Sequence, residues 1–238
     1  MVVRPRELLV SESAALIDAF QARVGFDPRR TAVVPNTVNR AVVDPALRAE
    51  LQQDLRSGLP PGAVLLAYPA RLYPHKNHAL LPLVRERLEQ RGVEARFVVT
   101  LTETEWQSMP ERFRDACVNV GIVPVNVMAG IYQQSDAVFF PSLLESFSAT
   151  PIEGLLLNGI VFASDRGFVR DVCGDRAVYF DPLDPDDAAE VLARVLCDDA
   201  AVARLRKRAE EIGDELITPR DRALEFVRLA SALLATGP

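Results

Sequence analysis

Short apolar runs alternate along the chain with longer stretches of helical spacing. Eight of the runs read as strands: residues 7–10, 31–34, 63–68, 95–100, 118–122, 137–140, 160–163 and 178–180. Two of them, Val64-Leu65-Leu66-Ala67 and Ala137-Val138-Phe139-Phe140, are apolar at every position rather than at every second one. Such strands have both faces covered, which is the habit of parallel sheets between helix layers. Residues 78–91 follow a helical period, with Leu80, Leu81, Val84 and Leu88 on one side. Residues 125–134, 151–157 and 186–196 read as helices too, and 103–114 as an amphipathic helix anchored by Trp106. The alternation predicts an α/β fold with a mainly parallel sheet flanked by helices.

The ends depart from this rhythm. Residues 1–35 read as strand, helix, strand, with Ser11 as the cap of the helix. Residues 39–61 are polar, with helical content at 46–56, and run into the breaker cluster Gly58-Leu59-Pro60-Pro61-Gly62. The tail from Asp198 has two helical stretches separated near Thr218-Pro219.

With 238 residues, 49% of them hydrophobic, the chain can bury a sizeable core. No apolar run approaches the ~20 residues of a membrane span, and the first residues lack the apolar core of a signal peptide. Twenty-seven basic against 33 acidic residues give a net charge of −6, which argues against nucleic-acid binding by bulk charge. Cys117, Cys173 and Cys197 are widely spaced and form no CxxC, so they read as reduced thiols of a cytoplasmic protein.

Two loops carry the candidate chemistry. The first, Tyr68 to Asn77, follows the strongest strand and precedes a long helix, and ligands of open α/β sheets sit at the carboxyl ends of strands. Arg71 and Lys76 place a forked guanidinium and a mobile ammonium on it, a pairing suited to a diphosphate. Two ordinary surface charges are the plainer reading. The second loop, Glu145 to Pro151, leads into a helix with Pro151 at its first position. Free N–H groups around Ser148 would form an anion site there, flanked by the carboxylates Glu145 and Glu153. That pattern suits a ligand with hydroxyls on both sides of its phosphates, such as a nucleotide sugar. Glu153 as a mere complement to the helix dipole is the alternative. His75 and His78 lack a third ligand and read as polar surface positions, with no metal implied. Asp165-Arg166-Gly167 follows another strand end, where it would line the same cleft, but a simple turn is the plainer reading. The dinucleotide, P-loop and hydrolase signatures are missing.

Four segments, in order, resemble the carboxy-terminal, donor-binding half of a GT-B-fold retaining glycosyltransferase of family 4: VVPNTVN, PARLYPHKN, GIVPVNVMAGIYQQSDAVFFPSLLESFSATPIEGL and YFDPLDPDDAAEVL. The resemblance covers about residues 31–197. It implies a Rossmann-like domain and transfer of a hexosyl group from a nucleoside diphosphate sugar to an unidentified acceptor, without cofactor or obligatory metal. Arg71 and Lys76 would hold the diphosphate, and Glu153 the ribose hydroxyls. Glu145 would lie near the transferred sugar, with Arg71 and Lys76 sharing its catalytic role by neutralising the leaving group. The N–H groups of Phe147, Ser148 and Ala149 would face sugar and phosphate, with Ser146 beside them and Ile122 and Val123 by the base. Ser146 and Ser148 stand where the family has Gly, as does Thr37. The implied division is 1–35 as the end of an acceptor domain, 36–198 as the donor domain and 199–238 as carboxy-terminal helices. The missing amino-terminal domain would be a structural partner, and the chain would then be a fragment or a natural donor-domain protein. The implied location is the cytoplasm or the inner membrane face. A nucleotide-sugar epimerase of the same fold and a non-catalytic nucleotide-sugar binding module are the rival readings.

Overall fold

The computed structural model describes residues 8–25 and 27–235, so Glu7, the first residue of the expected strand 7–10, lies outside the described residues. The chain begins with β1 (Leu9–Ser11), α1 (Ala14–Val24) and β2 (Thr31–Val33), followed by the single-turn α2 (Arg40–Val43). The main alternation is β3 (Val64–Tyr68), α3 (Leu80–Glu89), β4 (Ala95–Val99), α4 (Glu103–Ser108), α5 (Glu111–Ala116) and β5 (Cys117–Asn119). It continues through α6 (Met128–Gln134), β6 (Ala137–Phe140), α7 (Ala149–Leu157), β7 (Val161–Ser164), α8 (Gly167–Cys173) and β8 (Val178–Phe180). Helices α9 (Pro185–Leu196), α10 (Asp199–Ala209) and α11 (Pro219–Ala235) end it.

β1 and β2 form a small parallel pair, and the other six strands make one parallel sheet in the order β5-β4-β3-β6-β7-β8. Each half of that sheet is a βαβαβ unit, and the strand order reverses between β3 and β6. Ligand crevices of doubly wound sheets lie at this switch. Pairing is longest between β3 and β4, five residues in register, and shortest at the switch, where only Leu66 with Ala137 and Ala67 with Val138 pair. The continuously apolar strands are buried as their composition demands: Leu65 to Tyr68 and Ala137 to Phe140 are fully covered. α3 and α9 close one face with Leu81, Val84, Leu88, Ala188 and Leu192, all inaccessible.

The differences from the sequence expectations have local causes. The cap of α1 is Ser13, whose hydroxyl accepts from Leu16 N–H; Ser11 is still in the strand. The expected helical stretch 46–56 forms no α-helix, only a 3-10 turn at Pro45–Leu47 and a hydrogen-bonded turn from residue 55 on. The remainder is drawn out over α6, where Leu51 and Leu55 are buried and Ala49 N–H reaches the Asn126 carbonyl at 2.8 Å. Gly130 admits it, because a Cβ there would stand 2.5 Å from Leu51 Cβ. Tertiary contacts thus outweigh helix propensity. The helix expected over 103–114 is two helices, since Pro110 ends the run and starts α5. Trp106 packs edge-on against Phe113 at 6.3 Å. β5 stops early because the Asn119 side chain takes over the bonds of Leu101 and the Gly121 N–H. α6 starts at Met128, after a 3-10 turn at Val125–Val127. α7 starts two residues before Pro151, whose missing N–H costs nothing in a first turn.

Candidate functional site

The loops after β3 and β6 meet above the switch. Lys76 Nζ lies 2.5 Å from Glu145 Oε1, with side-chain exposures of only 16% and 12%. Both loops are bolted to the sheet. The buried Tyr68 hydroxyl, at the end of β3, donates to the Lys76 carbonyl at 2.6 Å and lies 3.2 Å from Ser142 Oγ. Ser164 Oγ donates to the Ser142 carbonyl at 2.7 Å, which brings β7 into the same chain of bonds. Leu143 N–H donates to the His75 carbonyl at 2.7 Å. Asn77 is the one non-glycine among the described residues with positive φ, at 57°. Its amide donates to the Pro141 and Pro182 carbonyls, at 3.3 and 2.9 Å. The ammonium and the carboxylate are therefore presented by a braced frame.

Arg71 is exposed, and among the described residues its guanidinium makes no hydrogen bond or ion pair; the Glu105 carboxylate is its electrostatic neighbour. Ser148 caps α7 in an extended conformation without a side-chain bond to the helix. The N–H groups of Phe147, Ser148 and Ala149 have no hydrogen-bond partner among the described residues. The start of this nine-residue helix is thus open to an anion. Neither Ser146 nor Ser148 adopts the left-handed backbone a glycine would permit, nor does Thr37. Ser146 instead donates to Glu12 at 3.0 Å.

Glu153 is 7% exposed, and burial raises its pKa. The fully buried Tyr132 hydroxyl donates to Glu153 Oε2 at 2.8 Å and opposes that rise. Ile122 is 55% exposed and Val123 packs against the core. The geometry therefore joins Lys76, Glu145 and the start of α7, while Arg71 stands free at the rim.

One sequence reading needs correcting. His78 is a core residue, 4% exposed, between the Tyr68 and Phe113 rings at 5.1 and 6.4 Å. Neither ring nitrogen has a hydrogen bond of normal geometry. Burial lowers its pKa from 6.5 to about 4, the Ala70 backbone opposing and Lys76 reinforcing the shift. His75 stacks on Tyr73 with 5.6 Å between rings. Sequence reasoning also missed Tyr68, Tyr132 and Glu12 as partners of the site. Nothing in their spacing announces those contacts. Asp165-Arg166-Gly167 is structural: Asp165 pairs with Arg170 at 2.5 Å, and Arg166 caps α8. Among the described residues, no group of three His, Cys, Asp or Glu could hold a metal. No helix among them is long and apolar enough to cross a membrane.

Residues 51–212 match the family model of glycosyl transferases group 1, and the chain belongs to that family. It is 27% identical, over 99% of its length, to 57% of the D-inositol 3-phosphate glycosyltransferase of Geodermatophilus obscurus. It is 26% identical, over 70% of its length, to 43% of the enzyme of that name from Actinosynnema mirum. The chain thus spans about half the length of these relatives. Among solved structures, a Rickettsia africae glycosyltransferase superposes with a TM-score of 0.76 at 15% identity, covering 98% of this chain and 65% of that one. Anabaena HepE, in complex with UDP and glucose, gives 0.73 at 17% identity, covering 95% and 63%. These likenesses establish the fold, an α/β architecture with a mainly parallel sheet flanked by helices, as in GT-B glycosyltransferases.

Proposed function

We propose that the chain is the donor-binding part of a family 4 glycosyltransferase that moves a hexosyl group from a nucleoside diphosphate sugar with retention. The observation that carries the reading is the largely covered Lys76–Glu145 pair at the switch, beside the open start of α7. Lys76, Arg71 and the helix N–H groups would neutralise the diphosphate as the bond from the anomeric carbon to its oxygen breaks. That bond's electrons stay with the diphosphate. The acceptor oxygen bonds to the same carbon from the same face and passes its proton to the departing diphosphate oxygen. Glu145 would lie against the sugar, Glu153 would accept from the ribose, and Ile122 and Val123 would flank the base.

In this reading residues 36–198 form the donor domain, 199–238 the closing helices and 1–35 the end of an acceptor domain. The two buried thiols, Cys173 pushed up to about 12 and Cys117 higher still, suit a reducing cytoplasm. The name borne by the curated relatives makes a phosphorylated cyclic polyol a reasonable first acceptor to assay in a full-length protein.

The test is a thermal-shift and calorimetry panel of nucleosides, nucleoside diphosphates and nucleotide sugars, with and without EDTA. A specific ligand at a hundredfold excess over Kd adds about 2.7 kcal/mol. Stabilisation by a diphosphate but not its nucleoside, unchanged by EDTA, is expected. No nucleotide effect at all would sink the reading, and a tenfold loss with EDTA would sink its metal-independent part.

A further inference from the structure

We propose that Glu12 is a positioning residue for the loop 145–149 and that it acts through Ser146. The proposal rests on the donor-site reading above. Each oxygen of the Glu12 carboxylate has its own partner. Oε2 accepts from Ser146 Oγ at 3.0 Å, and Oε1 accepts from Arg222 Nη2 at 3.1 Å. Arg222 Nε donates in turn to the Pro35 carbonyl at 3.1 Å. Three segments remote in sequence meet at this one side chain: the turn after β1, the loop before α7 and the start of α11. Glu12 and Arg222 are 27% and 29% exposed, so water competes only in part.

The base from which Glu12 reaches out is fixed. Ser13 caps α1, and Ala15 N–H donates to Asp171 of α8 at 2.7 Å. Gly167, at the start of α8, has Ala15 Cβ 2.9 Å from where its own Cβ would be, so the two helices touch there. The loop it holds is braced at its β6 end through Ser142 and Leu143, and on the side toward α1 it borders open space. A cavity of about 320 Å³, lined by Glu12, Ser13, Phe147, Ile152 and Asp171 among others, lies between them. Phe147 packs against the core, and on the side that borders the cavity the Ser146–Glu12 bond ties the loop. Ser146 adjoins Glu145, the partner of Lys76, so a shift at one is passed to the other. A glycine at 146 has no hydroxyl and could not make this bond. Glu12 and Arg222 both lie outside the span 51–212 matched by the family model. Segments peripheral to the donor fold thereby set the loop that would face the sugar.

The test has two arms, on the chain as it stands. In the first, amide hydrogen exchange of Leu143, whose N–H donates to the His75 carbonyl, is measured without ligand in the wild type, Glu12→Ala, Ser146→Ala and the double variant. Exchange should quicken about fivefold in each single variant, the factor for a bond of about 1 kcal/mol. The double variant should be no faster, and Glu12→Gln, which keeps an acceptor, should restore most of the protection. In the second arm UDP and UDP-glucose are titrated into the same proteins. Each single variant should weaken UDP-glucose about fivefold and UDP less than twofold, with no further loss in the double variant. Urea unfolding verifies that each protein is folded. Unchanged exchange in Glu12→Ala, equal losses for the two ligands, or losses that multiply in the double variant would overturn the proposal. If the wild type binds neither ligand, the uridine form of the donor reading fails, and the exchange arm still decides the role of Glu12.

Discussion

Acid should loosen this protein at His78 before it does so elsewhere in the core. The ring is buried between Tyr68 and Phe113, neutral, with a pKa of about 4 against 6.5 in an unfolded chain. Above pH 6.5 both states are neutral and the group has no effect. Between 6.5 and 4 the unfolded chain binds the proton and the folded one does not, so stability falls as pH falls. From the two pKa values the loss is about 2 kcal/mol between pH 7.5 and 5, approaching about 3 kcal/mol well below pH 4. Carboxylates titrate over the same range, so the measurement must be a difference. Urea unfolding at pH 7.5 and 5.0 is compared for the wild type and His78→Phe, whose ring suits the aromatic pocket. The wild type should lose about 2 kcal/mol more than the variant over that interval. The chain has two histidines, so the His78 ring protons can be assigned by their absence from the variant's spectrum. They should not titrate above pH 5. Parallel losses in the two proteins, or a His78 resonance titrating near 6.5, would refute the argument that burial governs this residue.

Lys76→Met should weaken nucleoside diphosphate binding by about 1.5–3 kcal/mol and leave free nucleoside unaffected. It also strands the Glu145 carboxylate, so Lys76→Met/Glu145→Gln should be the more stable of the two by urea titration. Glu153→Gln should weaken ribonucleotides more than their 2′,3′-dideoxy analogues in calorimetry; equal losses would remove the ribose contact from its role. Gly154→Ala should cost about 1–3 kcal/mol in unfolding free energy, because its Cβ would stand 2.7 Å from Val138 Cγ2 and 3.0 Å from Val161 Cγ2. A neutral result would mean that α7 can move off the sheet.

The strands were legible because burial on both faces leaves an unbroken apolar signature. Ala137 to Phe140 could hardly be anything else in a polar-flanked run of that length. The two charged loops were legible as well, since βα alternation puts them at one edge of the sheet. The stretch 46–56 misled because its residues favour helix locally, while Leu51 and Leu55 gain more by lying flat over α6. His78 was misread for a related reason. A polar residue in a loop is ordinarily solvated, and it takes Tyr68, ten residues back, and Phe113, 35 residues on, to cover this one. The Glu12–Ser146 and Tyr132–Glu153 contacts span 134 and 21 residues, distances over which no periodicity speaks.

The sheet's shortest pairing has a consequence for how the molecule comes apart. Between β3 and β6 only two residues are in register, so the backbone ladder is thinnest beneath the site. Side chains sew up both ends of this seam. Asp136 takes the Leu65 N–H at 2.8 Å at one end; Tyr68, Asn77 and the Lys76–Glu145 pair cross it at the other. β3 to β5 and β6 to β8 are then two half-sheets joined by a stitched edge, and partial opening should follow that line. A ligand gripping Lys76 on one half and the start of α7 on the other would act as a further stitch. Its binding would slow separation of the halves more than it slows fraying within either one. The crevice would then serve the fold as a clasp whose strength depends on the concentration of what it holds.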